Sequence, residues 1–276
     1  MCATPIGNLG DITSRVLDTL REVDVIAAED TRNSLKLMNA YDIHTPLTSY
    51  HEFNKVEKAV TLIEQLKEGK NIALITDAGT PAISDPGEVL VKMCQEEGVP
   101  YTSLPGACAC ITALTLSGLP TRRFCFEGFL PFEKKERRQI LSELESELRT
   151  IIMYEAPHRL KQTLSELLKT LGPDRRITLC RELTKKFEEA KATTIGEAVD
   201  FYENNDPRGE YVLVIEGMSL SEKKDKETAR WEDISIEEHM AIYEGKGMDH
   251  KEAMKKVASD RGVSKRDIYS YLVNKN

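Results

Sequence analysis

Ile72-Ala-Leu-Ile-Thr-Asp-Ala-Gly-Thr-Pro-Ala-Ile-Ser-Asp-Pro-Gly87 reads as a short buried strand that runs into a Gly/Pro-rich turn and then a helix start. The continuous apolar run over 72–75 suits a strand covered on both faces. Open α/β sheets bind small molecules beyond the carboxyl ends of such strands. After the turn, Asp85 is placed to cap a helix, Pro86 suits its first position, and Glu88 completes a capping-box-like spacing. An ordinary strand-to-helix loop fits the same letters. The flanking sequence favours a ligand site.

On either side, strand and helix patterns alternate. Residues 23–28 read as a strand, 56–66 as an amphipathic helix, 89–94 as the middle of the capped helix, and 100–104 as another short strand ending at Pro105-Gly106. A small-residue helix over 107–116 follows. Alternation of this kind implies a mainly parallel sheet with helices on both faces. Around Gly118-Leu-Pro120 the rhythm breaks, and 124–130 starts a new strand ahead of the charged segment 133–138. The second half continues as a helix to Leu148, a strand over 150–154, a helix over 157–171, and strands over 177–180 and 211–215. Leu160, Leu164, Leu167, Leu168 and Leu171 share one helical face and read as core. The polar run over 221–228 reads as a linker. Beyond it, helices over 236–244 and 251–258, a turn at Gly262-Val-Ser264 and a last helix through Leu272 form a small helix-turn-helix pattern, which equally describes a packing appendage. The expected organisation is an N-terminal α/β domain over 1–120, a C-terminal α/β domain over 121–220, and a linker with a helical tail over 221–276.

Composition narrows the function. The 276 residues are 40% hydrophobic and 30% charged, as in a soluble globular protein. No apolar run approaches the roughly 20 residues that span a bilayer, and no basic segment followed by an apolar one opens the chain, so a cytoplasmic location without membrane attachment is expected. The six cysteines lack CxxC spacing, and with five scattered histidines they suggest reduced thiols and no metal site. A net charge of −8 argues against indiscriminate coating of nucleic acid. Arg122-Arg123, Lys134-Lys135 with Arg137-Arg138, and Lys185-Lys186 are still candidate pieces of a local basic face, although such doublets also occur as plain solvated surface.

Seven segments complete the reading: Thr4-Pro-Ile-Gly-Asn8, Ala28-Glu-Asp-Thr-Arg32, Ser49-Tyr-His-Glu52, the stretch from Asp77 to Gly87, Pro105-Gly106, Tyr154-Glu-Ala-Pro-His-Arg159 and Gly209-Glu-Tyr-Val-Leu-Val-Ile-Glu-Gly217. In this order they resemble the ribosomal RNA small subunit methyltransferase I family of the tetrapyrrole methylase superfamily. The resemblance implies two α/β domains with a small C-terminal helical extension, usually a homodimer, with S-adenosylmethionine folded between the domains. It implies methyl transfer to the ribose 2′-hydroxyl of a cytidine in the decoding region of 16S rRNA. Carried over by motif, the cofactor meets Pro5 and Ile6, then Ala78, Gly79, Thr80, Ala82 and Ile83, then Cys108 and Ala109. From the second half it meets Tyr154, Glu155 and Leu183. Small residues such as Ala78 and Gly79 let backbone groups approach a ligand closely. Cys108 is then a pocket wall, and plain packing of Cys108 and Cys110 is a better account than a reactive thiol. Only Met1-Cys2-Ala3 precede Thr4, where the family carries several more residues, so a shortened first strand is expected.

Methyl transfer depends on positioning, and a ribose hydroxyl profits from a nearby proton acceptor. Asp30 and His51 are the acceptor candidates, with Arg32 orienting a ribose or phosphate; Glu29-Asp30-Thr31-Arg32 directly follows the strand over 23–28 and so should lie at the same sheet edge as the cofactor loops. Asp30 and Thr31 as mere helix caps account for that segment equally well. Arg122, Arg123, Lys134, Lys135, Arg137, Arg138, His158 and Arg159 are the candidate RNA contacts, with Lys265-Arg266 as an alternative face. Two other classes remain open: a methyltransferase acting on another acceptor such as a tetrapyrrole, and a nucleic-acid-binding regulator built on the C-terminal helices.

Overall fold

A computed structural model describes residues 1–274. The chain divides into two compact units, Met1–Leu144 with Thr150–Glu216, and Glu145–Arg149 with the chain from Gly217 on. The first unit holds two sheets.

The first sheet is parallel, in the order β2-β1-β3, with β1 Val25–Ala28, β2 Leu47–Ser49 and β3 Ile72–Ile75. Both faces are covered, as the unbroken apolar strands require. Ile26, Ala28, Ala73 and Ile75 pack with Val16 and Leu20 of α1 (Ser14–Glu22) and Met38 of α2 (Thr31–Ala40). Ala27 and Leu74 pack with Ala59, Leu62 and Ile63 of α3 (Lys55–Lys67) and with Leu90 and Cys94 of α4 (Gly87–Glu96). Residues 1–4 lie against β3: the Cys2 N–H donates to the Leu74 carbonyl at 2.9 Å, and the Thr4 N–H to the Gly79 carbonyl at 2.9 Å. The expected strand over 100–104 does not form. That segment meets residues 1–4 in a single bridge, Cys2 to Leu104.

The second sheet runs β4-β5-β8-β6-β7, with β4 Phe124–Phe129, β5 Thr150–Glu155, β6 Arg176–Arg181, β7 Glu189–Thr194 and β8 Tyr211–Ile215. Only the β4–β5 pair is parallel. Period-2 alternation sends Ile151, Met153, Leu179, Leu213 and Ile215 to one face, under α6 (Lys134–Leu144), α7 (Pro157–Leu171) and α8 (Ile195–Glu203). Ile152, Cys180, Val212 and Val214 go to the other face, where Cys110, Ala113 and Leu114 of α5 (Ala109–Leu116) cover them. A helix from the first half of the chain thus packs on the sheet of the second half.

Three further expectations are corrected. α4 begins at Gly87, one residue later than the Pro86 start, so Glu88 is its second residue and forms no capping box; Asp85 Oδ1 instead accepts the N–H groups of Gly87 (2.8 Å) and Ala82 (3.0 Å). α6 stops at Leu144, not Leu148, and Glu147 takes up the Arg149 N–H and guanidinium in the turn that follows. The polar run over 221–228 is helical, as α9 (Leu220–Ala229), because Ser219 and Glu222 form a reciprocal capping box. In the second unit α10 (Ile236–Glu244), α11 (His250–Asp260) and α12 (Lys265–Asn274) pack around Met240, Tyr243, Met254, Val257 and Ile268. Among the described residues no helix is long and apolar enough to cross a membrane, and no three metal-ligating side chains cluster.

Candidate functional site

Because β1, β2 and β3 are parallel, with Ala28 level with Ser49 and Ile75, their carboxyl ends share one edge. The residues leaving that edge bond to one another. The Thr76 hydroxyl donates to Glu29 Oε2 at 2.7 Å. Asp77 accepts the Asp30 N–H and the Asn33 amide, both at 3.2 Å. The Tyr50 hydroxyl donates to the Pro86 carbonyl at 2.9 Å, tying the end of β2 to the turn before α4. Thr80 Oγ1 donates to the Ala107 carbonyl at 2.9 Å, linking that turn to the one before α5. α5 carries Cys108 and Ala109 toward β5 and β8.

A cavity of about 540 Å³ lies between these segments and the second sheet. Ile6, Ala78, Gly79, Thr80, Ile83, Cys108 and Ala109 line it from one side, and Tyr154, Glu155, His158, Leu183, Lys185, Glu210 and Val212 from the other. Backbone strain concentrates here. Of the five non-glycine residues with positive φ among those described, Ala82 and Ser84 sit in the turn after β3, and Glu182 and Thr184 flank Leu183. Such conformations cost ~1–3 kcal/mol each and persist where packing enforces them. Gly79 has φ +87°, and a Cβ there would lie 3.2 Å from Ile6 Cγ2. The backbone at this point therefore needs glycine both for its torsion and for its closeness to Ile6.

The lining is acidic. Glu29, Asp77, Asp85, Glu155 and Glu210 contribute carboxylates, against one lysine. Lys185 donates to Glu182 at 2.9 Å and Glu210 at 2.8 Å; burial would lower its pKa, but the two carboxylates outweigh burial and raise it. Asp85 Oδ2 is buried and has no hydrogen-bond partner, so it is an acceptor available to a ligand. Glu155 is buried, accepting from the Thr163 hydroxyl and the Ala156 N–H. The Cys108 and Cys110 sulfurs are 3.4 Å apart. The contact with the Cys110 thiol lowers the Cys108 pKa, and the same contact with burial pushes Cys110 up. Burial raises the Tyr154 phenol as well.

The structure therefore gathers Ile6, Ala78, Gly79, Thr80, Ile83, Cys108, Ala109, Tyr154, Glu155 and Leu183 around one cavity, with Pro5 and Ala82 adjacent in the chain and outside its lining. Asp30, Arg32 and His51 do not line it. Asp30 caps α2 and is paired with Arg32 at 2.9 Å, which holds its carboxyl at about 2 and leaves little basicity. His51 Nδ1 is buried without a partner. Two expected RNA contacts are engaged by the fold itself. Arg137 is buried, donating to Glu166 at 2.6 Å and Thr163 at 2.7 Å, and Arg159 donates to the Leu130 carbonyl at 2.5 Å. His158 lines the cavity, while Arg122, Arg123, Lys134, Lys135 and Arg138 are exposed. Sequence reasoning passed over Glu29, Thr76, Asp77, Ser84, Asp85, Phe129, Lys185 and Glu210 as lining residues. Most lay within quoted motifs or beside them; Lys185 had been read as part of a basic doublet.

With this geometry in place, similarity to known proteins becomes informative. Residues 2–199 match the model of the tetrapyrrole (corrin/porphyrin) methylases. The chain is 51% identical over 270 residues to a ribosomal RNA small subunit methyltransferase I from Halalkalibacterium halodurans, covering 98% of this chain and 92% of the relative. It is 51% identical to that of Bacillus subtilis, over 96% of this chain and 90% of the relative. The protein of that name from Escherichia coli O157:H7 is 43% identical over 98% and 92%. Among solved structures, a diphthine synthase superposes with a TM-score of 0.62 at 14% identity, covering 78% of this chain and 88% of that one. A cobalt precorrin-4 methyltransferase superposes with a TM-score of 0.57 at 20% identity, covering 78% and 92%. These two likenesses concern the fold.

Proposed function

The chain belongs to the tetrapyrrole (corrin/porphyrin) methylase family and, within it, groups with the ribosomal RNA small subunit methyltransferases I, and from that premise we propose that it uses S-adenosylmethionine to methylate small-subunit ribosomal RNA, at the ribose 2′-hydroxyl of a cytidine in the decoding region. The carrying observation is the cavity itself. It joins apolar walls, close backbone around Gly79 and an excess of carboxylates, which together suit an elongated ligand bearing cationic, polar and flat apolar parts.

The residues present fit this cofactor. Ala78, Gly79 and Thr80 would offer backbone groups to its polar ends, Asp85 Oδ2 would accept one of its N–H or O–H groups, and Ile6, Ile83, Ala109, Leu183 and Tyr154 would form the dry walls. When bound, S-adenosylmethionine supplies an electrophilic methyl group on a sulfonium. The chain's own part is to orient the acceptor oxygen, exclude water and take a proton. Well-oriented reactants recover roughly 7–11 kcal/mol of barrier.

For the acceptor side His51 is the proton-acceptor candidate, because its segment is tied by Tyr50 to the turn before α4. Asp30 then serves to hold Arg32, whose exposed guanidinium would contact a phosphate. Arg122, Arg123, Lys134, Lys135 and Arg138 would add sequence-independent phosphate contacts. The test is transfer of labelled methyl to small ribosomal subunits lacking the modification, followed by mass spectrometry of the nucleosides. Ribose-methylated cytidine is the expected product. A methylated base, or transfer to a tetrapyrrole with none to rRNA, would overturn the assignment.

A further inference from the structure

Phe132 lies on the turn between β4 and α6 with 83% of its surface exposed. It is not a loose surface side chain. The Arg159 guanidinium covers one face of its ring, 4.2 Å from the centroid. Arg159 is itself fixed from below by the Leu130 carbonyl at 2.5 Å and by Glu155 at 3.7 Å. The ring is thus a flat apolar plate mounted on a partly buried cation, with its outer face open to solvent. Phe129, three residues earlier, and His158, next to Arg159, both line the cavity, so the plate stands beside it. Lys134 and Lys135 lie two and three residues further along the chain, past Glu133, and are exposed.

A rigid aromatic face next to clustered cations is the surface chemistry that holds single-stranded nucleic acid, with bases stacking on the ring and phosphates meeting the cations. A protein partner would find a charged surround more costly to desolvate. We propose that Phe132 is the stacking platform for a nucleobase of the RNA strand beside the methylated nucleotide, and that Lys134 and Lys135 hold the adjoining phosphates. The proposal rests on the reading of an RNA substrate. Arg159, which sequence alone placed among the RNA contacts, acts here as the mount that fixes the plate's orientation.

The test compares Phe132→Ala and Phe132→Trp with the parent chain on small ribosomal subunits lacking the modification, and measures S-adenosylhomocysteine affinity in parallel. Phe132→Ala should raise KM for the subunits by roughly tenfold or more, the scale of one lost stacked base, with cofactor affinity unchanged; Phe132→Trp should restore KM. A KM within twofold of the parent, or a matching loss of cofactor affinity, would overturn the platform. A second measurement stands apart from methyl transfer. In a Trp231→Phe background, the Phe132→Trp fluorescence should be quenched on titration with a short single-stranded RNA. Absence of quenching overturns the platform. Quenching of the Phe132→Trp variant by RNA, when the parent chain methylates no RNA, would retain the platform and overturn only the acceptor assignment.

Discussion

At the scale of single residues, the cavity wall depends on side chains that other side chains hold in place. Thr163 is the clearest case. Its hydroxyl donates to Glu155 Oε2 and accepts from Arg137 Nη2 at 2.7 Å, deep in the interior. Thr163→Val keeps the shape and removes both bonds, leaving a buried carboxylate oxygen and a buried guanidinium nitrogen short of a partner. The expected cost is about 1–3 kcal/mol, toward the upper end because both groups are charged. Urea unfolding should show a lower midpoint at unchanged slope, and Thr163→Ser should recover most of it. Equal midpoints for Val and parent would remove Thr163 from this role. Cys108 makes a second residue-scale case. With its thiol pKa lowered by the Cys110 contact, it should be alkylated faster than the other cysteines at pH 7. S-adenosylhomocysteine should protect it, and Cys110→Ala should slow it; a Cys108 no faster than Cys125 would contradict the pairing. That consequence was not legible in the sequence, where two cysteines at spacing two on a small-residue helix read as packing. The small residues around Gly79 were legible because close approach demands them. Arg137 and Arg159 were not, because a charge buried against a partner distant in sequence has the same letters as one in solvent.

At the scale of elements, legibility followed how each element is buried. β1, β3 and β8 are covered on both faces, so their sequences are unbroken apolar runs, and β5 carries one over 151–154 between Thr150 and Glu155. β7, Glu-Ala-Lys-Ala-Thr-Thr, pairs only with β6 at the sheet edge and carries no such run. α7 was readable to the residue from Pro157 at its start and its leucine face. α9 was misread as a linker since none of its residues is buried, and what holds it is its cap. Ser219→Ala should therefore act on the whole helix. Losing the side-chain bond to the Glu222 N–H, and with it the reciprocal box, costs ~1 kcal/mol, and α9 has no packed face to compensate. Amide hydrogen exchange should show protection falling across 222–229 while that of α11 stays within error. Unchanged protection over α9 would mean that contacts other than the cap hold it, such as the 3.0 Å pair of Lys226 with Glu145.

At the scale of the whole molecule, each compact unit has its own core, and one buried histidine belongs to the second. His239 is fully buried, stacked on Trp231 at 3.7 Å between ring centroids, with Arg261 donating to its Nδ1 at 3.2 Å and Asp260 3.5 Å from its Nε2. Burial first, and Arg261 next, lower its pKa below 6.5, against the smaller pull of Asp260. The sign follows directly. Between the folded pKa and 6.5 the unfolded chain binds a proton that the folded unit refuses, so the stabilisation is complete above pH 6.5 and is lost as pH falls below it. Trp231 is the chain's single tryptophan, so its fluorescence reports on this unit alone. The thermal midpoint it records should drop between pH 7.5 and 5.5, a window above the carboxylate range. Binding of S-adenosylhomocysteine by the first unit, followed by calorimetry, should change much less. His239→Gln cannot take up the proton and should abolish the drop. If the Gln variant kept the same pH shift, the acid sensitivity would belong to other groups, and the tail's stability would have to be argued from its Met240, Met254 and Val257 core alone.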